Sequence, residues 1–233
     1  MMMKLISSCI VLASMATVYA ATPEQNLPYE GVSLDRTRVI ISNGRNSESI
    51  GFNNKNPAPI IVSSWVTDLN NKPTNAFVIS PSIYQLAGKS TGQATIRVVE
   101  ELPKDRESVF WLIVNGATAG SSNENELRIA IGQRIKIFYR PDGLFGDARY
   151  AAEKLQWSFH GGELEIKNPT ALSVSVSDLI FDDRSERIAE MILPYESKKI
   201  KLENLNRKAK VKKFTFVDEW GGFKEVTFDI KVE

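Results

Sequence analysis

Glu126-Leu127-Arg128-Ile129-Ala130-Ile131-Gly132-Gln133-Arg134-Ile135-Lys136-Ile137-Phe138-Tyr139-Arg140 is the stretch on which the fold turns. Side chains alternate across a strand, so Leu127, Ile129 and Ile131 share one face, and Ile135, Ile137 and Tyr139 keep the same parity unless a bulge near Gly132 resets it. At about 3.3 Å per residue the stretch could extend roughly 45 Å, whereas strands usually have about five or six residues. In an ordinary β protein all these aliphatics would face the protein's own core. A sandwich cannot easily cover so long a row, however. One end is therefore expected to protrude or lie at an edge, offering apolar side chains and free backbone groups to another chain.

Period-two alternation and β-branched runs recur elsewhere, over 31–41, 60–67, 94–100, 108–114, 172–181, 214–217 and 224–232, while few segments repeat at helical period. Turn clusters such as Asn53-Asn54-Lys55-Asn56-Pro57, Gly120-Ser121-Ser122-Asn123 and Asn168-Pro169-Thr170 separate them. The pattern predicts an all-β chain of sandwiches, with no repeat visible by eye. One immunoglobulin-like sandwich takes about 100 residues, so the length asks for two. Arg140-Pro141-Asp142-Gly143 is the expected seam, because proline stops the long strand and glycine permits a turn.

Residues 1–20 read as an export signal rather than as part of the fold: Lys4 precedes an apolar run, and Val18-Tyr19-Ala20 suits a signal peptidase. The run is about a dozen residues, shorter than the roughly 20 of a spanning helix, and membrane insertion is not expected. The domains are then 21–141 and 142–233. The chain holds 29 basic and 28 acidic residues, and cleavage takes Lys4 and Cys9, the single cysteine. Such a balance gives no overall field for nucleic acid. Stability must come from the core rather than from disulfides. Lys198, Lys199, Lys201, Arg207, Lys208, Lys210, Lys212 and Lys213 crowd one region, best read as a solvated edge whose lysines discourage strand addition.

Catalytic chemistry is hard to find. The one histidine, His160, lies in Phe159-His160-Gly161-Gly162, a turn-like setting without a nucleophile partner. No ligand spacing suits zinc or calcium, and Gly161-Gly162 and Gly221-Gly222 lack the strand, loop and helix of a phosphate cradle. Asp182-Asp183 and Glu100-Glu101 are neighbours that point apart rather than a glycosidase pair. Neither an enzyme nor a cofactor or metal is expected.

Six ordered pieces resemble a known family: Val32-Ser33-Leu34-Asp35-Arg36-Thr37-Arg38; Pro81 to Leu86 with Gly88-Lys89-Ser90; Leu102-Pro103-Lys104-Asp105-Arg106-Glu107-Ser108; Ile135-Lys136-Ile137-Phe138-Tyr139-Arg140-Pro141; Ile166-Lys167-Asn168-Pro169-Thr170; and Asp218-Glu219-Trp220-Gly221-Gly222. Together they are similar to the PapD-like periplasmic pilus chaperones of the chaperone-usher pathway. The resemblance implies two immunoglobulin-like sandwiches joined at an angle, with a cleft between them. It implies a periplasmic protein that binds fimbrial subunits by donor-strand complementation and delivers them to an outer-membrane usher.

The resemblance also assigns residues. Arg38 and Lys136 match the pair that grips a subunit's C-terminal carboxylate, and Leu127, Ile129 and Ile131 match the donor residues that fill its open groove. Glu107 and Arg140 match an interdomain salt bridge whose second-domain acid is either Glu219 or Asp218. An uncovered donor edge also lends itself to capping by a second copy of the chain. One departure stands out: after Phe110-Trp111 the chain has Ile113, Ala117 and Thr118 where the family carries an asparagine and an apolar residue with proline. The spacing from Phe110 to Leu127 and the absence of mature cysteines resemble the short-loop branch. The competing reading is a secreted two-domain adhesin or structural fimbrial subunit, which should carry a donor extension and commonly a disulfide. An exported hydrolase would need a base that only His160 could provide.

Overall fold

The computed structural model describes residues 31–42, 44–118, 130–160, 163–181, 184–201 and 211–230; the expected signal segment, Leu127, Ile129, the Asp182-Asp183 and Gly161-Gly162 pairs, and Arg207, Lys208 and Lys210 lie outside these. In chain order the strands are β1 (Val32–Leu34), β2 (Arg38–Ile41), β3 (Ser47–Asn54), β4 (Ile60–Thr67), β5 (Phe77–Ser80), β6 (Ile83–Leu86), β7 (Ser90–Val98), β8 (Ser108–Thr118) and β9 (Ala130–Tyr139). The short helix α1 (Ala148–Glu153) follows, then β10 (Gln156–His160), β11 (Glu163–Lys167), β12 (Val174–Phe181), β13 (Ser185–Ile192), β14 (Ser197–Lys201), β15 (Val211–Val217) and β16 (Phe223–Ile230).

The first nine strands make one sandwich, with sheet β1-β3-β7-β5 against sheet β2-β9-β8-β4-β6. Their alternating apolar residues meet in a core that includes Ile41, Ile50, Phe52, Ile60, Ile96, Leu112 and Ile137. The second sandwich sets β10-β11-β14 against β13-β12-β15-β16. Leu164, Ile166, Leu179, Phe214 and Phe216 fill it, and Ala151 and Ala152 of α1 pack on its rim. The helix starts at Asp147, whose carboxylate accepts the Tyr150 N–H in an ordinary N-cap.

The expected run over 31–41 is two strands in different sheets, since the chain crosses from one layer to the other at Asp35-Arg36-Thr37. β9 runs antiparallel to β8 without a register shift, from Ser108 opposite Tyr139 to Ala117 opposite Ala130. No bulge forms at Gly132, and one parity persists: Ile137 is fully buried, Ile135 half-buried and Ile131 36% exposed. On its other side β9 meets β2 in parallel, but only from Lys136 to Tyr139. From Ala130 to Ile135 that side has no ladder partner among the described residues.

His160, expected in a turn, is the last residue of β10 and pairs with Glu163 of β11. Of the basic cluster, Lys198, Lys199 and Lys201 lie on β14, an edge strand. Lys212 and Lys213 belong to β15, which has partners on both sides.

Each sandwich closes around a fully buried asparagine, Asn54 in the first and Asn168 in the second. The Asn54 amide donates to the carbonyls of Ala58 (2.9 Å), Leu86 (3.4 Å) and Ala87 (2.9 Å), while its oxygen accepts from the Asn56 N–H (3.0 Å). Asn168 does the same for Leu172 (2.7 Å), Ile192 (3.2 Å) and Leu193 (3.1 Å), and its oxygen accepts from the Thr170 N–H (3.0 Å). These are repeated devices that the sequence did not show by eye. A buried carbonyl without a partner costs about 1–3 kcal/mol, so Asn168→Ala is expected to destabilise the protein by about 2–3 kcal/mol, read as a lower urea midpoint.

Candidate functional site

The crevice between the sandwiches collects the charges that neither core can hold. Parallel pairing of β2 and β9 sets Arg38 directly beside Lys136. Even-numbered residues of both strands face away from the first core, so both cations project toward the second sandwich. The Arg38 guanidinium donates to the Val217 carbonyl at 3.3 Å and lies over the Phe138 ring at 5.5 Å, and its Nε is buried without a partner. The Lys136 ammonium approaches Ser175 Oγ at 3.4 Å and the Trp111 ring at 5.5 Å.

Neither cation forms an ion pair among the described residues. Burial lowers both pKa values. For Arg38 the second-domain carboxylates of Asp218 and Glu219 work against that fall, as does Glu107. For Lys136 burial is reinforced by the neighbouring Arg38 and Arg134 charges, and the amine falls to about 8. Two partly dehydrated positive groups side by side, without an anion, are an unfinished arrangement; a carboxylate placed between them would complete it through charge-assisted hydrogen bonds.

A second cluster fixes the crevice. Glu107, with a side chain only 1% exposed, receives Arg140 Nε at 3.2 Å and Nη2 at 3.0 Å on one oxygen, and the Ser173 N–H at 2.8 Å on the other. The same Arg140 Nη2 reaches Glu219 at 3.4 Å, and Glu219 also accepts the Ala148 N–H at 2.7 Å. Of the two acids left open by the sequence, the one on Arg140 is therefore Glu219. Asp218 instead closes its own turn, accepting the N–H groups of Trp220 (3.0 Å) and Gly222 (2.7 Å). Gly221 in that turn sits at φ +86°, and a Cβ there would lie 2.1 Å from Thr37 Oγ1, so only glycine allows the turn to touch the first sandwich so closely. A cavity of about 720 Å³ opens beside it, lined by Arg36, Thr37, Arg38, Glu219 and Trp220 among others.

Of the donor residues expected from the sequence, Ile131 is described, at the uncovered end of β9; Leu127 and Ile129 are not. Sequence reasoning missed Ser173, Ser175 and Val217, whose contributions to the crevice are backbone groups or small hydroxyls with no pattern to mark them. It also passed over Trp111, which could have been placed opposite Lys136 once the β8-β9 register was known.

Comparison with known proteins agrees with this architecture. Residues 31–145 match the pili and flagellar-assembly chaperone PapD N-terminal domain, and residues 150–228 match the pili assembly chaperone PapD C-terminal domain. The chaperone protein LpfB of Salmonella typhimurium is 30% identical over 216 residues, covering 90% of this chain and 93% of that protein. The crystal structure of the YadV chaperone superposes with a TM-score of 0.74 at 31% identity, over 85% of this chain and 99% of that one. The Escherichia coli chaperone DraB gives a TM-score of 0.75 at 26% identity, over 87% and 96%. With both halves matched in order and the two sandwiches shared, the chain belongs to the family of PapD-like pilus assembly chaperones.

Proposed function

We propose that this chaperone works in the periplasm, holds fimbrial subunits by completing their unfinished sandwich with β9 and the residues before it, and passes them to an outer-membrane usher. The first domain is taken as 21–141 and the second as 142–233, after loss of residues 1–20. Arg38 and Lys136 grip the subunit's C-terminal carboxylate, and Leu127, Ile129 and Ile131 enter its groove. The observation that carries this reading is the pair of cations without a counterion, next to a strand whose backbone from Ala130 to Ile135 is laddered on one side only.

The energetics fit strand addition of the kind chaperone-pilin pairs use. Burying three aliphatic side chains contributes roughly 5–9 kcal/mol before the cost of association, and the carboxylate sets the register in which they pair. Glu107, Arg140 and Glu219 hold the two domains at the angle the site needs. No covalent step is involved, and the relatives are named chaperones rather than enzymes. The reading as an adhesin or structural subunit is not favoured by family matches that span both domains.

The test is co-expression in a periplasm with a fimbrial subunit encoded beside this gene, followed by affinity isolation of the chaperone. Subunit is expected to copurify with the wild type. Ile131→Glu should reduce its yield at least tenfold while the chaperone itself stays folded, because a carboxylate in an apolar groove costs more than the lost isoleucine contact. Equal subunit recovery with Ile131→Glu would remove Ile131 from the donor face.

A further inference from the structure

Lys136 stands in an unusual place for a working ammonium. It shares the outer face of the five-stranded sheet with Trp111, its direct partner on β8, and the two side chains leave the sheet on the same side. The indole carries two cations: the Arg134 guanidinium at 4.3 Å from the ring centroid and the Lys136 ammonium at 5.5 Å. Arg134 is tied at its far end by a 2.9 Å hydrogen bond to Asn71 Oδ1, so it presses on the ring from a fixed point. Lys136 has only the long contact to Ser175 as a hydrogen bond. A four-carbon stem would otherwise be free to swing the charge out of the crevice into water.

We propose that Trp111 is the positioning residue for Lys136: its ring face attracts the ammonium and keeps it beside Arg38, in the crevice, before any carboxylate arrives. This rests on the anchor assignment made above. The attraction is electrostatic, between the positive nitrogen and the negative face of the indole. Arg134 locks the ring's orientation while repelling the lysine across it. The other charges that face Lys136 are Arg38 on β2, Glu190 on β13 and Lys198 on β14, and Glu190 is itself paired with Lys198. Trp111 therefore provides a stabilising contact for Lys136 that does not depend on an ion pair.

Site-specific incorporation of mono-, di-, tri- and tetrafluorotryptophan at position 111 tests this, because fluorine drains the ring face with little change of shape. The Lys136 side-chain amine is followed by NMR through a pH titration of the unloaded chaperone, and subunit retention is measured in parallel. Burial and the neighbouring cations lower this amine to about 8, and the wild-type midpoint is expected there. Successive fluorines are expected to move it down by roughly one pH unit in total, and to weaken subunit retention about tenfold. Arg134→Gln should move the midpoint up, since a repelling charge is gone. A midpoint and retention indifferent to fluorine number overturn the positioning role, provided that Lys136→Ala still loses subunit. If Lys136→Ala keeps subunit, the anchor assignment fails instead, and the midpoint series alone decides whether the ring holds the amine.

Discussion

Lys136→Ala and Arg38→Ala are each expected to abolish subunit copurification from the periplasm, while the chaperone remains folded and does not lose thermal stability. A hydrogen bond to a charged group contributes about 1.5–3 kcal/mol, so each removal weakens capture by roughly ten- to hundredfold, and the double variant by more. The effect on stability should run the other way. Both cations are partly stripped of water and lack a carboxylate, so burial penalises their charged forms. For Lys136 the sign follows from a folded-state pKa below the unfolded one: the group disfavours folding in full below about 8, and that penalty fades as pH rises from there through the ordinary lysine range. Lys136→Met, which keeps the stem and drops the charge, should melt at or above the wild-type temperature at pH 6. Retention of subunit by both alanine variants would defeat the assignment of this crevice as the carboxylate site.

Arg140→Ala should be the most damaging single change to the folded state, at about 3–5 kcal/mol by denaturant unfolding. It would strand the Glu107 carboxylate, which is almost wholly enclosed, with only the Ser173 N–H for company. Burial already pushes the Glu107 pKa upward, and Arg140 and the Ser173 N–H pull against that. Without Arg140 the rise should be larger. A carboxyl whose folded pKa lies above its unfolded value supports folding at low pH and loses that support as pH climbs through the folded value. The deficit of Arg140→Ala relative to wild type is therefore expected to shrink between pH 8 and pH 5. A cost below about 1 kcal/mol, or a deficit that grows on acidification, would show that this cluster behaves as an exposed pair.

The ease with which the fold could be read varied with the chemistry of each strand. β4 is Ile60 to Thr67 in both readings, because Ile60, Val62 and Val66 alternate cleanly into the core. β3, with Ser47, Glu48, Gly51 and Asn53, carries too little apolar surface to announce itself; Ile50 and Phe52 are its only large core residues. β13 and β14 were missed for the same reason: as edge strands they expose Arg187, Lys198 and Lys199 to water. The helix α1 is too short for a periodic pattern, so its existence rests on the Asp147 cap and three buried alanines.

For the site, Arg38 and Lys136 are ordinary surface charges by composition, and only the family pattern singled them out. Without that pattern their proximity was not legible, since it depends on a parallel register between segments at opposite ends of the first domain's chain. The burial of the Glu107 cluster was not legible in the sequence either. Read as an exposed orienting bridge its contribution would be modest, but the acid lies under the second sandwich, where loss of its partner is costly.

The four-residue ladder between β2 and β9 has an implication for the life of the molecule itself. Arg38 is translated near the beginning of the first domain and Lys136 near its end, so a chain that has not closed this ladder does not bring the two cations together. On the anchor reading proposed above, engagement with cargo is then restricted to copies that have finished their own maturation. A chaperone population recovering from denaturation should regain client binding only in step with the slowest closure of its first domain.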